Sequence, residues 1–326
     1  MRLAIVGCGL IGRKRAAAIA PPHELIVCAD IDPARAAGLA TTHPGCAATD
    51  DVQKAIENAS VDAVMIATTH DALAAMTLIA INAKKHVLVE KPAARTPAEL
   101  APVLDAARRH GVVVKVGFNH RFHPAIRKAH DIFNEGGIGD LMYVRARYGH
   151  GGRVGYEQEW RAQPHISGGG ELLDQGSHLI DLARWFAGDF QEVSGHVGTF
   201  FWPMAVEDNA FLLLKTSSGA LAWLHASWTE WKNLFSFEVF GRAGKLQIDG
   251  LGGSYGAERL TFHRMLPEMG PPVTQQWDMS AGTDRSWKAE FDQFAMCVEH
   301  GDEPMGSLED ALANLKIIER VYAGSS

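Results

Sequence analysis

The sequence contains a lysine and a histidine at positions where their side chains could act on a substrate hydroxyl and its proton. Lys91 lies in Glu90-Lys91-Pro92, directly after an apolar run, and a lysine there could orient and polarise a substrate oxygen. Asp174 and His178 are spaced i and i+4 in a predicted helix, so they share one face. Histidine is the natural proton acceptor for an alcohol near neutral pH, and Asp181 could orient its ring. A solvated lysine and a packed helix histidine are the structural alternatives, and spacing alone leaves them open.

A glycine-rich stretch, Gly7-Cys8-Gly9-Leu10-Ile11-Gly12, fits G-x-G-x-x-G between a predicted strand and a predicted helix. The first Gly allows a tight turn, the second lets a pyrophosphate approach the backbone, and the third lets helix and strand pack closely. Asp30 ends the next strand, where a carboxylate accepts hydrogen bonds from a ribose and repels a 2′-phosphate. Because Ile31 rather than Arg follows, the sequence predicts NAD in preference to NADP. Asp32, just before Pro33, is a better helix cap than Asp30.

The first 117 residues contain no aromatic residue and alternate strand-like with helix-like segments. This alternation predicts a doubly wound parallel sheet, whose ligand edge would hold both the glycine loop and Lys91. The predicted strands are Arg2–Val6, Glu24–Ala29, Val61–Ala67, His86–Glu90 and Val112–Gly117. The predicted helices are Gly12–Ala20, Asp32–Ala40, Ala72–Ala83 and Pro97–His110.

Aromatic residues begin at Phe118, so the sequence predicts a domain of residues 1–117 and a second domain of residues 118–326. In the second part, alternating apolar positions and turn signals predict antiparallel strands. The predicted strands are Leu141–Tyr148, Glu192–Phe201, Ala210–Thr216, Ala220–Trp228, Leu234–Phe240 and Lys245–Ile248. The predicted helices are Glu171–Ala187, Trp287–His300 and Leu308–Tyr322.

Charge and composition argue against several classes of partner. The formal net charge is −7, which disfavours nucleic acid because phosphate binding needs a basic surface. No apolar run is long enough to predict a membrane span, and the chain begins with a predicted strand rather than a leader. Four cysteines without framework spacing predict the cytoplasm. His120, His123 and His130 do not complete a spaced ligand set, so no metal is expected.

The ordered motifs resemble one family. They are Gly7 to Gly12, Asp30, Ile66-Ala-Thr68-Thr69-His70, Glu90-Lys91-Pro92 and Gly168-Gly-Gly-x-Leu-x-Asp174-x-Gly-x-His178. Together they resemble the glucose-fructose oxidoreductase / inositol dehydrogenase / rhizopine-catabolism (Gfo/Idh/MocA) family across essentially the whole chain. The resemblance implies an α/β protein with an N-terminal Rossmann domain and a C-terminal α/β domain with a large, mostly antiparallel sheet.

The resemblance also implies roles for individual residues. Lys91, Asp174 and His178 match the family's catalytic set, and Trp160-Arg161 matches a Trp-Arg near cofactor and substrate. The glycine loop with Leu10 and Ile11, then Asp30, Thr68, Thr69, His70, Glu90 and Lys91 are the expected cofactor contacts. Asn119 and Arg121, after the last Rossmann strand, are expected on the substrate side. The family commonly forms dimers or tetramers through the C-terminal sheet, so a homo-oligomer is expected.

These expectations converge on a nicotinamide-dependent dehydrogenase for a secondary alcohol of a sugar, cyclitol or related polyol. Two alternatives stay open: a glycosidase that uses NAD transiently without net redox, and a non-enzymatic sugar-responsive regulator on the same fold.

Overall fold

A computed structural model describes residues 1–280 and 282–325. These residues form two compact units. The first unit holds Met1–Phe118, His165–Gly168 and Trp287–Leu312, and the second holds Asn119–Pro164, Gly169–Ser286 and the chain from Ala313 onward. The domain division after residue 117 stays a prediction.

A six-stranded parallel sheet forms the centre of the first unit. Its strands are β1 (Arg2–Val6), β2 (Glu24–Ala29), β3 (Ala47–Thr49), β4 (Ala63–Ile66), β5 (His86–Glu90) and β6 (Val114–Gly117). They lie in the order β3-β2-β1-β4-β5-β6, and the order reverses at β1, where a doubly wound sheet binds ligands. The predicted Rossmann-type sheet is confirmed.

Helices connect these strands, as the alternating sequence predicts. They are α1 (Leu10–Ala18), α2 (Pro33–Ala40), α3 (Val52–Glu57), α4 (His70–Asn82) and α5 (Pro97–His110). Asp32 caps α2 by accepting from the Ala34 amide at 3.0 Å, as predicted. The prediction placed the start of α1 at Gly12, but the helix begins at Leu10, so the glycine loop itself supplies the first turn.

An eight-stranded sheet dominates the second unit, in the order β14-β13-β12-β11-β7-β10-β9-β8. The strands are β7 (Leu141–Gly149), β8 (Phe190–Gly198), β9 (Asn209–Thr216), β10 (Leu221–Ser227), β11 (Leu234–Gly241), β12 (Gly244–Asp249), β13 (Arg259–Arg264) and β14 (Val273–Asp278). Among the described strand pairs of this sheet, β7 with β10 is the only parallel one, so the mostly antiparallel sheet is confirmed. The strand predicted to end at Phe201 ends at Gly198, because Asp208 accepts from the next backbone amides, of Phe200, Phe201 and Trp202.

The remaining helices are α6 (Pro124–Asn134), α7 (Pro164–Ser167), α8 (Ser177–Ala187), α9 (Ser286–His300) and α10 (Leu308–Gly324). Short 3₁₀ turns cover Asn119–Phe122, Tyr156–Gln158 and Trp160–Ala162. The single α-helix predicted over Glu171–Ala187 is wrong in its first part, since Leu172–Gly176 form a π-helical turn and α8 begins only at Ser177. None of the helices in the described ranges combines the length and the apolar character that spanning a bilayer needs.

Candidate active site

The glycine loop has the shape that a pyrophosphate requires. Gly7 has a φ of +91°, and a Cβ there would lie 2.4 Å from the Ala67 carbonyl oxygen. A Cβ on Gly12 would lie 1.9 Å from the Gly7 oxygen, whereas a Cβ on Gly9 would meet nothing within 4 Å. The outer glycines therefore allow close packing, and Gly9 leaves open space before the free N–H groups that begin α1. This cradle fits a dinucleotide phosphate.

Asp30 lies at the end of β2 and is bonded to the glycine loop. Its Oδ2 accepts from the Cys8 amide at 2.7 Å, and its Oδ1 accepts from the Asp32 amide at 2.9 Å. The sequence predicted a carboxylate that is free for a ribose, but both of its oxygens already receive one backbone N–H. Each oxygen keeps acceptor capacity, so Asp30 can hold the loop and still receive ribose hydroxyls.

Lys91 follows β5 and is partly exposed, and its peptide bond to Pro92 is cis. Glu90, just before it, is buried and accepts from Arg15 Nε at 2.7 Å. Arg15 also pairs with Glu290 of α9. Burial and the second carboxylate raise the pKa of Glu90, although Arg15 opposes them. Glu90 thus joins the backbone at Lys91 to α1 and α9.

Thr68, Thr69 and His70 follow β4 at the beginning of α4. The Thr69 hydroxyl donates to Asp71 at 2.6 Å, and Thr68 is partly exposed. His70 is buried, and its Nδ1 lies 2.8 Å from the Ser167 carbonyl oxygen. The two threonines are therefore the accessible members of this predicted cofactor segment, while His70 fixes the local backbone.

In the second unit, Asp174 lies in the π-helical turn that precedes α8. Its Oδ2 accepts from Arg161 Nε at 2.9 Å, and the Arg161 guanidinium lies 4.4 Å from the Trp160 ring. Asp174 is 9% exposed. Turns of this kind often mark functional sites, and this one places a carboxylate of the predicted catalytic motif against an arginine that the family resemblance had singled out.

His178 lies in the first turn of α8 and is buried. Its ring stacks on His120, with centroids 3.7 Å apart and planes at 17°. The Tyr148 ring lies 6.3 Å from His178 and 5.2 Å from His120. Sequence reasoning considered His120 only as a metal ligand and rejected it, so this stack was not foreseen.

Arg121 forms a buried, bidentate ion pair with Asp181. Its Nε and one terminal nitrogen donate to the two Asp181 oxygens at 2.8 and 2.6 Å. Asp181 accepts both of these bonds from Arg121, and its role in orienting His178 stays a prediction. The pair joins the Asn119–Phe122 turn to α8. Asn119 is also buried and donates to Ser286 Oγ at 3.1 Å.

Glu207 is a supporting residue that the sequence did not indicate. Its carboxylate accepts from the Gly170 and Leu172 amides and, at 2.8 Å, from the Tyr322 hydroxyl. A Cβ on Gly170 would lie 2.0 Å from the Glu207 carbonyl oxygen. Gly170 therefore makes room for Glu207, which holds the turn that carries Asp174. No spacing signal connects Glu207 to that turn.

Polar side chains near enough to Asp174 to feel its charge were also missed. The Tyr148 and Tyr255 hydroxyls hydrogen-bond, and Gln175 donates to Tyr255 at 2.9 Å. Burial raises the pKa of Tyr148, and burial raises that of Tyr255 to about 12, so both stay neutral hydroxyls. Burial also lowers the pKa of His150, while the negative charge of Asp174 acts in the opposite direction and favours the protonated ring. Within residues 1–280 and 282–325, no group of three or more His, Cys, Asp or Glu could hold a metal.

Comparison with known proteins identifies relatives of both units. Residues 1–118 match the family model described as an oxidoreductase family with an NAD-binding Rossmann fold, and residues 126–247 match the GFO/IDH/MocA C-terminal domain. Levoglucosan dehydrogenase of Pseudarthrobacter phenanthrenivorans is 26% identical over 76% of this chain and 73% of the relative. The scyllo-inositol 2-dehydrogenase (NAD(+)) of Bacillus subtilis is 26% identical over 97% of this chain and 92% of its own.

A solved structure has the same fold. Levoglucosan dehydrogenase in complex with NADH and levoglucosan matches with a TM-score of 0.91 at 23% identity, covering 100% of this chain and 97% of that one.

Proposed function

This chain belongs to the GFO/IDH/MocA family of NAD-binding oxidoreductases, and we propose that it oxidises a secondary alcohol of a sugar, cyclitol or related polyol. The observation that carries the proposal is the cluster in the second unit, where Asp174, bonded to Arg161, precedes the helix that carries the buried His178. Relatives named as levoglucosan and scyllo-inositol dehydrogenases support the substrate class.

The first unit supplies the residues that would hold the cofactor. The open space at Gly9 and the N–H groups of α1 would receive the pyrophosphate, and Asp30 would receive the adenosine ribose. Thr68, Thr69 and Glu90 stand at the ends of neighbouring parallel strands. Bound NAD supplies the hydride acceptor for the alcohol carbon. NAD is favoured over NADP because a carboxylate at Asp30 would repel a 2′-phosphate.

We assign the proton to His178. During oxidation the alcohol O–H bond breaks, its proton passes to a ring nitrogen of His178, and the carbon gives up its hydride. Lys91 orients the hydroxyl and stabilises the negative charge that develops on its oxygen. Asp174 accepts a hydrogen bond from a second hydroxyl of the substrate, next to the reacting one, while Arg161 keeps the carboxylate in position.

Hydroxyl and amide groups around Asp174 suit a substrate with several hydroxyls. Tyr148, Tyr255 and Gln175 form a hydrogen-bonded chain, and the partly buried His150 stands close enough to Asp174 for its charge to be felt. Precisely placed polar groups of this kind give binding sites their specificity. A polyol matches these donors and acceptors better than an apolar alcohol does.

A substrate panel tests the proposal. The full-length protein is incubated with NAD or NADP and with sugars, cyclitols and non-hydroxylated analogues, and NADH formation is followed by absorbance. We expect turnover with NAD on at least one polyol, and loss of that turnover in His178→Ala with NAD binding retained. Glycoside cleavage without net NADH would instead indicate the NAD-dependent glycosidase reaction. Sugar binding without any turnover would indicate a regulator.

A further inference from the structure

His120 is a buried imidazole that the proposed reaction does not yet use. It lies in the 3₁₀ turn Asn119–Phe122 and is 5% exposed. Its ring is nearly parallel to that of His178, with centroids 3.7 Å apart. Two imidazolium rings at this distance would repel strongly, so the stacked pair carries at most one charge near neutral pH.

A directional chain of hydrogen bonds fixes the proton position on His120. Ser286 Oγ donates to Asp284 Oδ1 at 2.7 Å, so it must accept from Asn119 Nδ2, which lies 3.1 Å away. The Asn119 Oδ1 then lies 3.1 Å from His120 Nδ1. Because an amide oxygen can only accept, His120 carries its proton on Nδ1. The chain ends at the Asp284 carboxylate and fixes the Nδ1–H of His120 and the plane of its ring.

From this geometry we propose that His120 is a positioning residue for His178: a neutral imidazole, oriented through Asn119 and Ser286, that stacks beneath His178 and stabilises the imidazolium formed when His178 takes the substrate proton. The proposal rests on the proposed function, in which His178 is the proton acceptor. A cation over the face of a neutral aromatic ring is stabilised by the ring's electrons. His120 therefore makes His178 a stronger proton acceptor and fixes its ring plane.

Other charged and polar groups of the second unit also act on this pair, and a substitution of His120 leaves all of them in the sequence. They are the ion pairs of Asp174 with Arg161 and of Asp181 with Arg121, the hydrogen-bonded His123 and Glu258, and the side chains of Glu171, Tyr148 and Tyr255. The effect of His120 can therefore be separated from theirs by substitution.

The kinetic test compares two substitutions. His120→Phe keeps an aromatic face and loses the hydrogen-bonded chain, whereas His120→Leu loses both. In the pH profile of kcat/KM for alcohol oxidation, we expect the acidic limb of His120→Leu to move down by about half a pH unit or more. His120→Phe should stay much closer to the parent protein. The proposal is overturned if the acidic limb moves to higher pH in either variant, or if its pH is unchanged in His120→Leu.

A matched control is His130→Leu. His130 also stacks on an aromatic ring, that of Trp185, at 3.6 Å and 8°, but it lies outside the proposed catalytic groups. Its loss should lower thermal stability and leave the pH profile unchanged. A shift of the same size in His130→Leu would show that the His120 effect is a general consequence of weakened packing, and the proposal would then be wrong.

A second measurement does not depend on turnover. Ring ¹⁵N chemical shifts of the full-length parent protein, assigned with His178→Ala, are followed between about pH 5 and pH 8. We expect His120 to stay neutral with its proton on Nδ1 while His178 titrates, and Ser286→Ala to weaken that tautomer preference. A His120 that takes up a proton before His178, or that carries it on Nε2, overturns the proposal. If His178→Ala keeps its activity and acidic limb, the proposed function fails instead, whatever the ring shifts of His120 are.

Discussion

Arg15 is the buried charge on which the position of Lys91 depends. It is 1% exposed and bonds to Glu90 and Glu290, so one guanidinium serves two carboxylates. A Cβ on Gly117 would lie 2.5 Å from an Arg15 terminal nitrogen, so β6 also leaves room for this cluster. Removing one partner of such a network leaves a buried charge without compensation. The residue before Lys91 is thus fixed by three elements.

Replacing Lys91 with Ala tests its proposed catalytic role. We expect kcat to fall by about 100-fold or more, since a positioned charge-stabilising group contributes on that scale. NAD binding should survive because the glycine loop, not Lys91, holds the pyrophosphate. Steady-state rates and a fluorescence titration with NAD measure the two quantities. The matched control is Lys54→Ala in α3, an exposed lysine, which should change neither; near-normal turnover of Lys91→Ala would reassign Lys91 to a surface role.

The chemical groups of the site were more predictable than their partners. Lys91, Asp174 and His178 stand in contiguous motifs, so the family resemblance indicated them as catalytic, and that role stays a prediction. Their partners come from distant parts of the chain: His120 precedes His178 by a whole strand and several turns, and Glu207 follows Asp174 after another strand. A single sequence contains no signal for such long-range pairs, because only the folded sheet brings them together.

At the scale of elements, predictions held where hydrophobic periodicity was strong. The buried strands β1, β2 and β5 were predicted with their observed bounds. Three strands were missed, and each gives a weak signal. β3 has three small residues at a sheet edge, β13 begins and ends with an arginine, and β14 is a mostly exposed edge strand rich in polar residues. The π-helical turn over Leu172–Gly176 was read as α-helix because one extra residue per turn leaves the apolar pattern nearly unchanged.

The end of β2 and the glycine loop act together in the choice of cofactor. Asp30→Asn removes the charge but keeps an acceptor. We therefore expect the ratio of the affinity for NADP to the affinity for NAD to rise about tenfold, which is roughly 1.4 kcal/mol. Asp30→Ala also removes the acceptor for the Cys8 amide and should weaken both cofactors. Titrations with NAD and NADP measure this. Asp32→Asn, at the cap of α2, is the control and should leave the preference unchanged. Tighter binding of NADP by the parent protein would contradict the assignment of Asp30.

The turn before α8 depends on the absence of a side chain at Gly170. A Cβ in Gly170→Ala would lie 2.0 Å from a backbone oxygen of Glu207, so we expect the free energy of unfolding to fall by about 1–3 kcal/mol. We also expect a lower kcat, because Asp174 moves with the turn. Thermal unfolding and steady-state rates measure both effects. Gly38→Ala is the matched control: it lies within α2 with nothing within 4 Å of the added Cβ, so its melting temperature should rise or stay. A Gly170→Ala protein with parental stability would show that the turn can relax.

At the scale of the whole molecule, one face of the eight-stranded sheet remains open. Trp223 of β10 is 41% exposed, and its register partners Leu213 and Arg145 place apolar and charged side chains beside it on the same face. Contiguous exposed apolar side chains on a sheet mark an interaction surface. The same face carries both signs of charge, with Arg145 bonded to Glu238. Such a mixed surface can pair with a second copy of itself about a two-fold axis.

We therefore expect the protein to form a dimer or tetramer through this face, as the family resemblance implies. Trp223→Glu would bury an unpaired carboxylate in each symmetric contact and should dissociate the oligomer. Sedimentation velocity at several protein concentrations measures the mass. The control is Trp231→Glu, since Trp231 is also exposed but lies in the loop after β10 rather than on the sheet face, and it should leave the mass unchanged. A parent protein that sediments as a monomer at every concentration would contradict the prediction, because no second copy would then cover the exposed face of the sheet.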